Sequence, residues 1–154
     1  MAITASGLFV QSFIGALDQS LALNLDLDTH KLALFSGNTP VYGTDTAYNV
    51  GNWANTNEIT GTNWASGGVL VTTPATPLTN QSGSLTWDLD DVSETNTTVA
   101  DSEGGLIYAD ALAGNNGIAG IYWGAGDFST NAGTFAVTWT APASGGVFAI
   151  DMTP

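Results

Sequence analysis

GTFAVTWTA, residues 133–141, alternates large apolar side chains with small or hydroxyl-bearing ones. Phe135, Val137 and Trp139 therefore fall on one side of an extended chain, and the smaller side chains fall on the other. SLTWDLD, residues 84–90, alternates in the same way. Because successive side chains of a strand point to opposite faces, both segments predict strands with one buried face and one face toward water.

Five further segments read as strands because turns rich in Gly, Asn or Pro bound them. They are THKLALFSG (29–37), GVLVTT (68–73), GLIYAD (105–110), GIAGIYWG (117–124) and GVFAIDM (146–152). No helical pattern separates these strands, which favours an antiparallel β-sandwich over a parallel α/β fold. We therefore predict a mainly β chain, an antiparallel β-sandwich with one N-terminal α-helix and a long aromatic-rich loop.

The chain has 154 residues, the length of a single domain, and its 44% hydrophobic content is ample for a core. Near the N-terminus the apolar side chains recur at helical spacing, which predicts an amphipathic helix over residues 8–22. We expect residues 1–7 to form an extended arm and residues 29–154 to form the sandwich. The long loop is expected over residues 36–67, which far exceeds the usual length of a connection.

The charge balance excludes several classes of function. Fourteen carboxylates face one cation, Lys31, and the formal net charge is −13. Nucleic-acid binding and phosphoryl transfer depend on Lys and Arg, so we expect neither. The N-terminal residues lack the basic region of a signal peptide and a long apolar run, so we expect no membrane contact.

The sequence offers little for catalysis. His30 is the only histidine and there is no cysteine. Acidic residues crowd residues 88–94 and 100–105, which leaves a Ca²⁺ site open, but neither segment has the spacing of a known calcium loop. A glycoside hydrolase needs two carboxylates about 5–10 Å apart in a cleft, and no cleft is evident. We therefore predict no enzymatic activity, no catalytic residue, no cofactor and no bound metal.

The long loop contains Asn-Trp-Ala twice, at residues 52–54 and 63–65. These tryptophans either cover the core or present their rings to a partner, as aromatic residues at interfaces do. Trp64 leads directly into a strand, so we expect it to be buried. Trp53 has no such neighbour, and we expect it to contact another subunit. The candidate interface residues are Trp53, Tyr42 and Tyr48 from the loop, Ala2 and Ile3 from the N-terminal arm and Leu8 from the start of the predicted helix.

NEITGTNWASGG, residues 57–68, resembles the pattern N-E-[IV]-x-G-x-G-[YW]-x-x-G-G of small structural proteins of tailed bacteriophages. THKLALF (29–35), LIYADALAG (106–114) and a closing GTFAVTW…GVFAIDM hairpin extend the resemblance over most of the chain. One position departs from the pattern, since Asn63 stands where Gly is usual. Asn tolerates the left-handed backbone conformation, so the turn is expected to survive.

The resemblance implies a virion structural protein with no catalytic residues. It points to a capsid decoration protein on the outer face of the lattice of the major capsid protein, made in the host cytoplasm and self-associating as a trimer or, alternatively, a dimer. It also implies that Glu58, Trp64, Gly67 and Gly68 anchor the loop. The alternative is a minor tail protein, or a virion protein that binds a receptor or a carbohydrate.

Overall fold

The computed structural model describes residues 2–124 and 126–153, which form one α-helix and eleven strands. The helix α1 spans Val10–Leu17. The strands are β1 (Gly7–Leu8), β2 (His30–Phe35), β3 (Glu58–Ile59), β4 (Val69–Val71), β5 (Leu78–Gln81), β6 (Ser84–Trp87), β7 (Val92–Ser102), β8 (Gly104–Ala109), β9 (Gly117–Tyr122), β10 (Phe128–Val137) and β11 (Phe148–Asp151).

Every strand pair in the described part of the chain is antiparallel. The largest sheet runs β1-β9-β8-β2-β3, and β4 also pairs with β2. Strand β10 pairs with β7, and β6 lies between β11 and β5. The prediction of a mainly β chain with one helix and antiparallel sheets is confirmed.

Strands β2 and β8 are buried on both faces. In β2, Leu32 and Leu34 belong to one hydrophobic cluster, whereas Ala33 and Phe35 belong to another. In β8, Ile107 belongs to the first cluster and its neighbours to the second. A strand buried on both faces reads as a continuous apolar run, as Leu32 to Phe35 do, and not as an alternating one.

The first cluster joins residues from all three sheets. Its buried members include Leu32, Leu34, Trp64, Trp87, Leu89, Val99, Ile107, Ile118, Phe135 and Val137. Phe135 and Val137 are 6% and 8% exposed, while Thr134, Ala136 and Thr138 lie at the surface. The alternation that predicts a half-buried strand at this position is therefore confirmed.

The longest strand among the described residues is β7, which begins within the first acidic segment, residues 88–94, and ends within the second, residues 100–105. Strand β7 runs through VSETNTTVADS, where the sequence analysis predicts no strand, and it buries Val92, Thr97, Val99 and Ser102. Its partner is β10, with a register that starts at Phe128↔Ser102 and ends at Val137↔Val92. Threonine fits a pleated surface well, but the scattered carboxylates and the three register shifts obscure the period of two.

The prediction that residues 133–139 and 146–152 form a closing hairpin is wrong. Strand β11 pairs with β6, with Phe148 opposite Trp87, and β10 pairs with β7. The connection between β10 and β11 contains a 3₁₀ helix, Pro142–Ser144, and so is not a tight turn. Because β7 is eleven residues long, it offers β10 a partner along its full length.

The helix is shorter than the predicted range of residues 8–22. Gly7 and Leu8 instead form β1, which pairs with Gly120 and Ala119 of β9. At the other end the backbone N–H of Leu21 donates to the carbonyl of Gly15 at 2.9 Å, so the chain turns back over the last turn. A side chain on Gly15 would press against Leu21, which explains how the chain folds back so closely.

The N-terminal arm expected over residues 1–7 contacts its own chain at Ile3 and Ala5. Ile3 is 1% exposed, and its backbone N–H donates to the Glu103 carboxylate at 3.2 Å. The Tyr42 hydroxyl donates to the carbonyl oxygen of Ala5 at 2.8 Å. The arm therefore packs on its own chain, because the apolar side chain of Ile3 finds a buried position there.

His30, at the start of β2, is fully buried and packs edge-on against Trp87 with 5.3 Å between ring centroids. Neither ring nitrogen has a hydrogen-bond partner among the described residues. Burial lowers the pKa of His30 below its usual value of 6.5, against a smaller opposing effect of the Asp28 charge. The folded protein therefore holds the neutral imidazole.

We expect the free energy of unfolding to fall as the pH is lowered from 7.5 to 5.5, because unfolded His30 takes up a proton near pH 6.5 before folded His30 does. The contribution of one such group is at most about 1.4 kcal/mol per pH unit. Urea unfolding of the parent and of His30→Phe at both pH values measures it. Parallel pH dependences of the two proteins would contradict the assignment.

Candidate functional site

Residues 36–67 cover the outer face of the largest sheet. They contain two 3₁₀ helices, Gly51–Trp53 and Asn55–Asn57, followed by β3, which pairs with β2. The second hydrophobic cluster forms beneath this segment and the N-terminal arm. Its buried members are Ile3, Phe9, Ala33, Phe35, Trp53, Leu106 and Tyr108. The segment expected to be one long loop is therefore the cover of a second small core.

Trp53 is at the centre of this second cluster and is fully buried. Its ring centroid lies 5.1 Å from that of Phe35 and 5.7 Å from that of Phe9. The indole N–H donates to the Asp45 carboxylate at 3.1 Å. The expectation that Trp53 contacts another subunit is wrong, because no part of this side chain reaches the surface.

Trp64 is also fully buried, as expected, but in the first cluster. Its ring lies 5.0 Å from Phe135, and its indole nitrogen has no hydrogen-bond partner among the described residues. A tight turn places it, since the backbones of Gly61 and Trp64 exchange two hydrogen bonds. Within this turn Asn63 has φ of 56°, so it adopts the left-handed conformation expected where the resembling pattern has Gly.

Glu58 links Tyr48, which precedes it in the chain, to Ser66 and Gly67, which follow it. Its carboxylate accepts hydrogen bonds from the hydroxyls of Tyr48 and Ser66 at 2.9 and 2.7 Å and from the Gly67 backbone N–H at 2.7 Å. Gly68 has φ of +73°, and a Cβ at this position would overlap the carbonyl oxygen of Leu32. The chain can therefore pass this close to β2 only with glycine.

The other candidate interface residues contribute mainly to the fold. Tyr48 stacks on Tyr108 with 4.7 Å between centroids. Burial, together with the Asp45 charge, raises the pKa of Tyr42 to about 12, so its hydroxyl remains a donor at neutral pH. Ile3 is buried, and of Ala2, Ile3 and Leu8 only Ala2 is fully exposed. The loop therefore holds its aromatic rings inward.

Helix α1 carries exposed apolar side chains along one face. Val10, Ile14 and Leu17 are 45%, 49% and 84% exposed, and they lie at positions i, i+4 and i+7 of one helix face. Ser12 and Gly15 face the protein instead and are buried. We call Val10, Ile14 and Leu17 the α1 face; it is apolar, on the surface and rigidly held.

The α1 face is held in place by the residues around it. The N–H groups of Phe9 and Val10 donate to the carbonyls of Ile118 and Tyr42, both at 3.0 Å. Phe13 packs edge-on against Phe148 at 5.7 Å between centroids. Ser12 and Gly15, on the inner side of α1, are small and let the helix approach the sheets closely. The larger side chains of the α1 face lie on the opposite side and therefore remain at the surface.

Ionisable groups in the described residues are spread out. No three acidic or histidine side chains among them are placed to hold a metal ion. Lys31 pairs with Asp110 at 3.1 Å, and both side chains are about one third exposed. Across residues 2–124 and 126–153 no helix is long and apolar enough to cross a membrane.

We expect Trp53→Ala and Trp64→Ala each to lose about 3–5 kcal/mol of stability, the usual cost of deleting a buried aromatic side chain. The two Phe variants should differ. Trp53→Phe loses a hydrogen bond to a carboxylate, worth about 1.5–3 kcal/mol, whereas Trp64→Phe loses no hydrogen bond. Urea unfolding ranks them, and a larger loss for Trp64→Phe would contradict the two environments.

We expect Glu58→Gln to destabilise the protein by about 1–3 kcal/mol, because the uncharged amide cannot accept all three hydrogen bonds. Glu94→Gln is the matched control, since Glu94 lies half-buried on β7. Thermal unfolding compares the two variants with the parent. Equal effects would show that the Glu58 hydrogen bonds contribute nothing specific.

Comparison of the chain with family models, curated proteins and solved structures gives no match.

Proposed function

We propose that this chain is a non-enzymatic structural protein of a tailed bacteriophage virion, a capsid decoration protein on the outer surface of the major capsid lattice. The sequence resemblance supports this role. The scatter of the ionisable groups is compatible with it, since no three acidic or histidine side chains among the described residues are placed to hold a metal ion. The proposed role is therefore the binding of a partner through the protein surface.

The α1 face is the single observation that carries the proposal. An amphipathic helix normally packs its apolar stripe on the core, and here the stripe points outward. With a net charge of −13 and one cation, the chain gains little from ion pairs of its own. Association through an apolar face does not depend on ion pairs. Because a capsid lattice repeats the contact over many copies, each individual contact can be weak.

We further propose that the sheets form the two layers of a β-sandwich. The first cluster supports this arrangement, because it draws buried side chains from the large sheet, from β7 and β10 and from β6. By the family resemblance the protein self-associates as a trimer, with a dimer as the alternative. The loop then stabilises one layer and the helix meets the capsid.

The double variant Ile14→Gln/Leu17→Gln tests the capsid role. Gln is a good helix former, so both exposed positions accept it and the fold should persist. Burying a fully exposed apolar side chain contributes about 1.5–3 kcal/mol, and Ile14 and Leu17 are 49% and 84% exposed, so the variant should bind capsids at least about 10-fold more weakly. Co-sedimentation with empty shells of the encoding virus measures the binding.

Leu27→Gln/Leu70→Gln is the matched control, because these leucines are 79% and 55% exposed and lie outside the helix. The control should bind shells as the parent does. Failure of the parent to sediment with shells would overturn the capsid role, and binding to tails instead would favour the minor tail protein. Equal weakening by both double variants would show that the α1 face is not the contact.

A further inference from the structure

A groove of about 400 Å³ opens where β9, β10 and the approach to β11 meet. Aromatic and aliphatic side chains line it, chiefly Tyr122, Trp123, Phe128, Trp139 and Val147. Its volume lies in the lower part of the range typical of small-molecule sites. The groove is on a different part of the molecule from the α1 face, and none of the three α1 face residues lines it.

Two indole rings in the groove are held at fixed orientations. The Trp123 N–H donates to the Ser102 hydroxyl at 3.0 Å, and the Trp139 N–H donates to the carbonyl of Asp90 at 3.1 Å. The Trp139 backbone N–H also donates to the Asp91 carboxylate at 2.9 Å. Both rings pack partly on the first cluster. Because their N–H groups already have partners, the rings offer a ligand their apolar surface, at little cost in conformational entropy.

Phe128 adds a third ring at the surface and is 49% exposed. Together with the two fixed indoles it forms a cluster of aromatic surface, the kind of patch that marks a binding groove. Ser6, Thr138 and Thr140 are also among the lining residues. The Ser6 hydroxyl accepts from the Tyr122 N–H at 2.9 Å and the Thr140 hydroxyl donates to the Gly146 carbonyl at 3.0 Å, so Ser6 keeps a donor and Thr140 an acceptor for a ligand. The groove therefore combines apolar rings with neutral hydrogen-bonding groups.

The groove is uncharged in a strongly acidic protein. None of its described lining residues is ionised at neutral pH, although the chain carries −13. An anionic ligand would be repelled by the protein as a whole, and a cationic ligand would find no carboxylate in the groove. A neutral ligand that carries both apolar C–H faces and hydroxyl groups fits this lining.

We propose that the groove binds a neutral oligosaccharide. A sugar ring has a face of C–H groups, which packs on an indole, and a rim of hydroxyls, which bonds to water and to hydroxyl side chains. Trp123, Phe128 and Trp139 supply the stacking surfaces. The carbohydrate site thus lies in this groove and not on residues 36–67, whose tryptophans are buried. This activity is additional to capsid binding and does not depend on it.

The parent protein is applied to an array of neutral, sialylated and sulphated glycans, and maltohexaose, cellohexaose and chitohexaose are titrated by calorimetry. We expect binding to one or more neutral glycans and weaker or no binding to anionic ones. Trp139→Ala and Phe128→Ala should each weaken the binding at least tenfold. Phe128 is half exposed, so its variant should keep the melting temperature of the parent even if Trp139→Ala does not.

Leu70→Gln, exposed on β4, and the α1 variant Ile14→Gln/Leu17→Gln are the controls and should bind glycans as the parent does. Phe128→Ala should in turn sediment with capsids as the parent does, which separates this proposal from the capsid role. Absence of binding to every neutral glycan would overturn the proposal. A preference for anionic glycans, or neutral-glycan binding that survives both groove substitutions, would overturn it equally.

Discussion

The burial of β2 and β8 on both faces is the constraint on which the rest of the structure depends. Side chains such as Leu34 and Ile107 pack toward one cluster, and their neighbours Phe35 and Leu106 pack toward the other. A sheet that is apolar on both sides needs a cover on each. The other sheets, together with Trp64, supply the first, and the rest of residues 36–67 with the N-terminal arm supply the second. The long insertion thus completes the fold, which is why its tryptophans do not reach the surface.

A second constraint is the near absence of cations. With one Lys and no Arg, the carboxylates can find few ionic partners within the chain. Several of them instead accept hydrogen bonds from uncharged N–H and O–H donors. Asp45 accepts from Trp53, Glu58 from Tyr48 and Gly67, and Glu103 from the N–H groups of Ile3 and Gly37. Each of these bonds ties the cover to the sheet or to itself, so acidity serves the second core as well as solubility.

These two constraints account for the surface that remains. Phe9 and Phe13 turn inward at the start of the protein, and the small residues of α1 face the sheets, so Val10, Ile14 and Leu17 point outward. At another place the ends of β9 and β10 leave a neutral aromatic groove. Both surfaces are apolar on an acidic molecule, and they lie on separate elements. The proposed lattice contact and the proposed glycan site therefore lie on separate surfaces.

The sequence by itself determined the local structure. The alternation of Phe135 and Val137 predicted a half-buried strand, the spacing after residue 8 predicted a helix, and Asn63 predicted a left-handed turn, because each depends on the conformation of a few adjacent residues. Only the tertiary structure decided which partner β10 takes, which side of α1 faces water and where Trp53 lies. Those outcomes depend on what lies opposite each element. A period of 2.0 or 3.6 residues marks an apolar face without identifying the residues that cover it, and here the cover is drawn from segments as distant as Ile3, Trp53 and Leu106.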